Sequence, residues 1–483
     1  MPKFTVAIIG AGLGGLLFAL TLQKFAPDVE FHIYESAAQL SEIGAGVNFQ
    51  PRTWFIIREL GLDQELLQIA GNGERPNMAM VYRKADQKEG YTFHITRDDE
   101  AENWTFHRAE LQKVFLNNLH APERIHLGKR FVSYTQPDAS TGQIEVQFQD
   151  GSTAVCDLLV GADGIKSGVR GAMYTHLEEQ ARNRGEEDKA LLLKSCIPAS
   201  FSGVVVYRAL VKLDRTNGAL HGSNLLMYCG KDKHVVAFPI AQGRLLNIAS
   251  VVTNPALSGT IHEGPWRSRV SREELIEMHK GWEPAVEGIL KVCVPVRLAM
   301  TTVAYVPTQD VDESGWSKWA IHAVNQLPTF VDGRVALLGD AAHAMTPHQG
   351  VGAGQGFEDA YVLGRLLGQP GVALGNIPVP LKMYDEIRRP VAQNVAARSL
   401  KSGQLHSFIA PELDAISPNL SASGNGPTKE QLGLVAEMIE RVKDWRKGTT
   451  VEKDCQAAIQ RLHEELGQTS LALDTETAVS SHV

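Results

Sequence analysis

Cysteine is scarce in this chain and scattered along it. The five, Cys156, Cys196, Cys229, Cys293 and Cys455, include no pair at metal-ligand or Cys-x-x-Cys spacing. That excludes a disulfide framework, a zinc ribbon and a thioredoxin-type pair, and leaves separate thiols filling core in a reducing compartment. Long apolar runs are also missing: nothing reaches the roughly 18 residues a membrane-spanning helix needs. Leu13 to Leu22 is apolar but lacks the charged flank and cleavage pattern of a secretory signal. Ser481-His482-Val483 is not a peroxisomal address, so a cytoplasmic location is expected. Positive charge is in deficit. With 47 Lys and Arg against 55 Asp and Glu, the net charge is -8, which argues against general nucleic-acid binding. The sequence holds no metal constellation, no nucleophile elbow and no carboxylate pair of glycosidase type. Asp98-Asp99-Glu100 reads as a solvated charge run.

What is present begins at once. Phe4 to Ile9 is a short, mostly apolar run, which reads as a buried parallel strand. Gly10-Ala11-Gly12-Leu13-Gly14-Gly15 follows, and Leu16 to Phe25 reads as a helix. Gly10, Gly12 and Gly15 match the dinucleotide fingerprint. The first permits a tight turn, the second a close pyrophosphate, and the third helix–sheet packing. Free amides at the helix start would face the phosphates. A second strand, Val29 to Tyr34, ends at Glu35, placed to accept hydrogen bonds from a ribose.

The chain has 483 residues, more than one core usually holds, so two or three domains are expected. Glu42 to Phe49 is a second glycine-rich stretch, in which Gly44 and Ala45 allow close backbone approach to a flat ligand. Pro51 to Leu60 predicts a helix, and Arg108 opens another that runs to about Leu119. Residues 125 to 149 read as hairpin strands. The apolar run ending at Gly161-Ala162-Asp163-Gly164 reads as a strand returning to the parallel sheet, followed by a short helical segment with Ser167 and Arg170. Residues 178 to 190 are highly charged and predict an exposed loop or short helix. Val204 to Leu210, Leu225 to Tyr228, Val235 to Ile240 and Leu245 to Val252 predict a mainly antiparallel sheet, suited to cover a ligand. Val335 to His343 is a further buried strand ending in an acidic turn. A glycine-rich loop, Pro347 to Gly356, leads into a helix to Leu367. Lys382 to Gly403 reads as a helix bent or bounded near Pro390. Residues 417 to 427 read as a flexible linker, and two more helices follow.

Three segments thus share one logic, an apolar strand followed by glycines beside a charged group. Gly10 to Gly15, Gly161 to Gly164 and Gly339-Asp340-Ala341-Ala342-His343, together with Pro347 to Gly356 and Asp385 to Pro390, resemble the class A flavoprotein aromatic hydroxylases. The resemblance is to the 4-hydroxybenzoate hydroxylase superfamily, salicylate hydroxylase-like branch, over roughly residues 4 to 400. It implies an α/β chain, α+β overall. A discontinuous Rossmann-like FAD-binding domain would take residues 1–175 and 296–375. A mainly antiparallel-sheet substrate domain would take 176–295, with 78–105 as a candidate contribution. C-terminal helices would fill 376–470, with a flexible stretch at 415–428.

The resemblance also implies FAD as cofactor and NADH or NADPH as donor, with dioxygen and a small aromatic substrate, in a monomer or homodimer. The reaction would be hydroxylation of a phenolic acid through a flavin C4a-hydroperoxide, with or without decarboxylation. Hydroxylation of a larger polyketide or alkaloid phenol, and FAD oxidoreduction without oxygen insertion, are the rival readings.

By the same resemblance Glu35 binds the adenosine ribose, and Arg108 lies along the ribityl or pyrophosphate. Asp163 and Gly164 support the flavin site and the donor's path. Asp340 binds the ribitol. The backbone of Gly350, Val351, Gly352 and Ala353 borders the isoalloxazine, with Pro347 near its reacting edge and Gly44 and Ala45 close by. Arg208 is the candidate for holding a phenolate or carboxylate. His234 is a candidate ligand contact that equally suits a hydrogen-bonding role at a sheet edge, and His322 is a candidate pocket base. Phe238 stands where relatives often have Tyr. His343 is expected to support a turn, and His348 to face the site.

Overall fold

The structure is a computed structural model that describes residues 2–40, 46–70, 79–97, 104–136, 142–212, 225–240, 245–292 and 316–467. The stretch at residues 98–100, Gly44, Ala45 and Cys293 lie outside these residues.

Strand Thr5–Ile9 lies inside a six-stranded sheet, parallel to Glu30–Tyr34 on one side and Leu158–Gly161 on the other. Val335–Leu337 runs parallel next to Leu158–Gly161, and Ile125–His126 pairs parallel with Glu30–Tyr34 at one edge. Antiparallel Val331–Asp332 closes the other edge. Val6, Ala7, Ile8 and Ile9 are all buried. A parallel sheet covered on both faces has no polar side, so its strands read as unbroken apolar runs. Helices Leu13–Phe25 and Gly352–Leu367 pack together within this layer. A Cβ on Gly364 would meet Thr21 Cγ2 at 2.5 Å, so glycine sets how closely the two helices approach.

The second layer is an eight-stranded sheet. Its order is Arg267–Arg269, Ser317–Ala323, Ser200–Lys212, Leu245–Thr253, Lys233–Ile240, Leu225–Gly230, Met80–Lys84 and Tyr91–Thr96. All its pairs are antiparallel except Leu225–Gly230 with Met80–Lys84. The period of two splits each strand between two faces. On one face Tyr207, Val235 and Ile248 pack against helices Arg272–Met278 and Pro284–Val292 through Leu275, Val286 and Leu290. On the other, Val204, Val206, Ala249 and Val251 form a small apolar floor near Leu400. Leu400 lies on the 29-residue helix Pro378–His406. At the far end of that face, Tyr82 and Met227 pack with Leu405, Phe408, Leu432 and Ile439.

Two expectations change and two gain detail. Residues 178–190 take the helical alternative: helix Gly168–Asn183 ends within them and, after a short turn, Glu187–Ser195 begins. Their charges sit around a buried stripe of Ala181, Ala190 and Leu193, which pattern counting over so short a window misses. Pro390 lies inside the long helix and does not end it, with Arg388 and Ala392 buried on either side. Residues 417–427 include helix Pro418–Ala422 with Ser421 fully buried. Ser421 accepts through its carbonyl from Lys84 Nζ at 2.9 Å and donates its hydroxyl to Asp86 at 2.5 Å. The small polar residues that suggested a linker complete a buried polar joint. Finally, Val451, Cys455, Ala458 and Leu462 of helix Val451–Glu465 are buried in the same core as the first strand. Cys156, Cys196, Cys229 and Cys455 are free and buried, as core filling requires.

Candidate active site

The carboxyl ends of Thr5–Ile9, Leu158–Gly161 and Val335–Leu337 lie side by side, and the motif residues sit on the turns that leave them. This is the crevice where open α/β sheets bind ligands. Gly10 has φ +108°, and a Cβ on it would strike the Ala162 carbonyl oxygen at 2.4 Å. A Cβ on Gly15 would strike the Gly10 carbonyl oxygen at 2.1 Å. The two glycines therefore let the turn, the helix and the neighbouring strand close on one another. Gly12 is the N-cap of the first helix, which has neither a side-chain cap nor an acid in its first turn. Its leading amides are left for an anion. Glu35 accepts from the Ala11 amide at 2.9 Å and from the Ala37 amide at 2.8 Å, so its carboxylate is held against the glycine turn. Arg108 begins helix Arg108–Asn117, and Gln112, one turn later, donates to the Ala11 carbonyl at 3.5 Å. Gln112 is buried and was not singled out from sequence. Its position four residues after Arg108, on the same helix face, was the available signal.

Asp163 is engaged with the turn that follows it. Its carboxylate accepts from Ser167 Oγ at 2.5 Å and from the Gly168 and Val169 amides at 2.7 and 3.2 Å. It caps helix Gly168–Asn183, and burial raises its pKa against those hydrogen bonds. Asp340, at the end of Val335–Leu337, is exposed, and its carboxylate has no partner among the described residues. It stands available to a hydroxyl.

The turn that carries Asp340 is held from below. Asp359 accepts from the Gly339 amide at 3.0 Å and pairs with His343 Nε2 at 2.5 Å. Arg388 Nε donates to Asp359 at 2.8 Å, and its Nη1 donates to Glu358 at 2.8 Å. Arg52 grips Glu358 with two further bonds of 2.8 Å. Burial alone would raise the pKa of Asp359, but His343 and Arg388 outweigh it and hold the carboxyl down at about 2. His343 is the turn support expected of it. Arg52, Glu358, Asp359 and Arg388 were not foreseen.

Beyond Asp340, Pro347–Gln349 forms one helical turn and Gly350 follows with φ +65°. Val351 is the N-cap of helix Gly352–Leu367, again with no side-chain cap and no acid in the first turn. The amides of Gly352 and Ala353 head that uncapped turn. Pro347 and Gly350 are exposed. His348 is turned away from them. A Cβ on Gly403 of the long helix would meet its Nε2 at 2.2 Å. That nitrogen is buried without a hydrogen-bond partner among the described residues, and burial lowers the His348 pKa to about 4.

The antiparallel sheet faces this loop. His234 lies on an interior strand, not at a sheet edge, with its ring centroid 5.6 Å from that of His348. Its Nδ1 meets Ser407 Oγ at 2.9 Å, and burial lowers its pKa well below the usual value, so the ring is neutral. The register aligns Arg208 with Ala249 and Val236, and Val206 with Val251 and His234. Arg208 and His234 thus share one face, roughly 12 Å apart by strand spacing and rise, with Val206, Ala249 and Val251 between them. Phe238 belongs to the same face. Arg208 is half-buried, desolvation lowers its pKa, and its guanidinium has no anion among the described residues. His322 does not join this group. Arg208 aligns with Ser317, so His322 lies roughly 17 Å further along the strand direction and on the opposite face by alternation. It stacks on Trp266 with centroids 3.6 Å apart, and Lys166 lies over the same indole at 4.3 Å. The alternating pattern of Ser317–Ala323, once its register is known, is what removes His322 from the pocket.

A carboxylate over a glycine turn, two uncapped helix starts and an acid without a partner among the described residues fit an extended dinucleotide with a sugar-alcohol linker. An apolar, cation-bearing sheet face, whose His234 lies beside His348 of the loop, fits a small anionic ring. Fold and site together define an FAD-dependent oxidoreductase. The comparisons with known proteins agree. A family model described as an FAD binding domain matches residues 3–190 and 293–399. A salicylate hydroxylase of Pseudomonas putida is 32% identical over 96% of this chain and 97% of its own. The 6-methylsalicylate 1-monooxygenase of Aspergillus terreus is 29% identical over 92% of this chain and 95% of its own. A solved salicylate hydroxylase substrate complex superposes with a TM-score of 0.75 at 27% identity, covering 98% of this chain and 99% of that one. The chain belongs to the FAD-binding family of flavoprotein aromatic monooxygenases, in its salicylate hydroxylase-like branch.

Glu35 gives a direct check on cofactor binding. Glu35→Ala removes a charge-assisted acceptor worth about 1.5–3 kcal/mol. FAD should bind roughly 10- to 100-fold more weakly when titrated by flavin fluorescence, with the fold retained by circular dichroism. An unchanged affinity would place the ribose elsewhere.

Proposed function

We propose that this enzyme hydroxylates a small phenol bearing a carboxylate, with electrons from NADH or NADPH. The observation that carries the reading is Arg208, a half-buried guanidinium with no anion among the described residues, on an apolar sheet face shared with neutral His234. Bound FAD supplies reduction by the nicotinamide and activation of dioxygen. The chain's own part is binding, orientation and exclusion of water. Glu35, the first-helix amides, Arg108 and Asp340 would hold the cofactor. The amides at Gly352 and Ala353 would border its ring, beside Pro347. Arg208 would take the substrate carboxylate in a bidentate grip. Val206, Ala249 and Val251 would lie under the aromatic ring and keep water out. His234, held uncharged, would serve the phenol only as a hydrogen-bonding group. Phe238 offers no hydroxyl for that task. The substrates named for the relatives, salicylate and 6-methylsalicylate, are of this class. Among the described residues no helix is long and apolar enough to cross a membrane, and no acid, His or Cys cluster could hold a metal.

The test is NAD(P)H-dependent oxygen uptake across phenolic acids, with product mass. One added oxygen supports hydroxylation, and no added oxygen with any phenol overturns it. Arg208→Met should raise KM for a carboxylated phenol by about 100-fold, the value of a charge-assisted pair. Its FAD content should be unchanged. An unaltered KM would move the anion site away from this strand.

A further inference from the structure

The loop from Pro347 to Ala353 is fastened by a part of the chain that none of the chemistry above uses. From the Pro347–Gln349 turn, the Gln349 side chain points into the C-terminal segment. Its Nε2 donates to Ser402 Oγ at 2.9 Å and to the Val442 carbonyl at 3.1 Å, while its Oε1 accepts from Trp445 Nε1 at 2.9 Å. All the hydrogen-bonding directions of the amide except one acceptor lone pair are engaged. The same segment makes a second attachment on the other side of Gly350–Ala353. Arg52 Nη1 donates to the Thr449 carbonyl at 2.6 Å, and its Nη2 pairs with Asp454 at 2.7 Å. Arg52 is also the residue that grips Glu358 on the helix starting at Gly352. A narrow cavity between the two attachments is lined by Gln50, Thr53, Val351, Gly354 and Trp445 among others. Residues Val442 to Asp454 therefore hold both ends of the loop and first turn that would border the flavin ring.

We propose that Gln349 and Trp445 are positioning residues: through their hydrogen bond the C-terminal segment sets the placement of the loop against the isoalloxazine. The inference rests on the FAD reading above and assigns a role to the C-terminal segment. A purely structural fastening would hold this segment to the body and leave the flavin's surroundings unchanged. A positioning contact alters the flavin's surroundings while the body stays folded.

Trp445→Phe separates the two, since it keeps an aromatic ring while losing the N–H and part of the indole's volume. Gln349→Met keeps the volume and loses every bond. Both are compared with the parent as FAD-loaded enzymes for thermal midpoint, fluorescence and circular dichroism of the bound flavin, and the fraction of NAD(P)H electrons recovered as hydrogen peroxide. In that side reaction NAD(P)H, a proton and dioxygen give NAD(P)⁺ and peroxide. The expected result is an altered flavin spectrum with the thermal midpoint nearly kept. The peroxide fraction should rise about two- to ten-fold, the range that loss of one hydrogen bond covers. The double variant should add little beyond Gln349→Met, because the two act through one bond. Parent-like flavin spectra and peroxide fractions in both single variants would overturn the proposal, as would effects of the two that simply add. A parent chain that takes up no FAD would instead overturn the FAD reading.

Discussion

An Arg388→Met chain is expected to lose about 3–5 kcal/mol of stability, the cost of removing one partner from a buried ion pair, and to purify with little flavin. Arg388 is fully buried, and its guanidinium serves Asp359, Glu358 and both oxygens of Gln355. Methionine fills much of the space but leaves two adjacent buried carboxylates short of a cation. Arg52 still reaches Glu358, and His343 still reaches Asp359, so the loss falls mainly on the shared position between them. Its functional consequence follows from geometry. Asp359 holds the Gly339 amide, and Gly339 directs the turn that carries Asp340. Arg388→Lys should recover only part of the stability. A lysine ammonium keeps the charge but cannot span two carboxylates and an amide as a planar fork does. Chemical denaturation of the two variants, with flavin absorbance per chain, checks the prediction. A methionine variant within about 1 kcal/mol of the parent would show that the network is replaceable by apolar packing, as some buried ion clusters are.

How much of this was legible beforehand depends on distance along the chain. Gly10 to Glu35 could be read because strand, turn, helix and acid are consecutive, and the ligand imposes their spacing. Asp340 was visible for the same reason. The network beneath it was not, because Arg52 and Glu358 meet across 306 positions. One signal was still there. Glu358 and Asp359 sit in a helix where Phe357, Ala360, Val362 and Leu363 leave no polar face. A helix apolar all round is buried, and acids within it must be paired. Arg208 and His234 could be listed as candidates, but the pairing register alone puts them on one face. The same register separates His322 from them. The joint of Ser421 with Lys84 and Asp86 shows the opposite limit: composition indicated a linker, and only a contact across 337 positions reveals a buried residue.

Lowering the pH from 7 to 5 is expected to cost the folded chain roughly 4 kcal/mol from two histidines alone, by linkage of their shifted pKa values to stability. His279 and His348 are held neutral by burial, each brought down from 6.5 to about 4. His279 is fully enclosed, with Nδ1 against the Leu275 carbonyl at 2.9 Å and Nε2 near Ser250 Oγ at 3.2 Å. Above pH 6.5 both the folded and unfolded chains keep these rings neutral, and neither favours a state. As the pH falls through 6.5 the unfolded chain takes up protons that the folded chain refuses, so stability declines until the folded groups titrate near 4. At pH 5 the linkage relation gives about 2 kcal/mol for each such group. His234 and His406 are shifted in the same direction and add to the loss. Asp359 does not contribute in this window. Its depressed pKa supports the fold above about 4 and fails only below it. The denaturation midpoint should therefore drop steadily between pH 6.5 and 5, with a second decline below 4. In His279→Gln, whose amide can meet both neighbours without titrating, the first decline should be shallower by about 2 kcal/mol at pH 5. If the variant and parent profiles fall in parallel between pH 7 and 5, buried neutral histidine is not what makes this fold sensitive to mild acid.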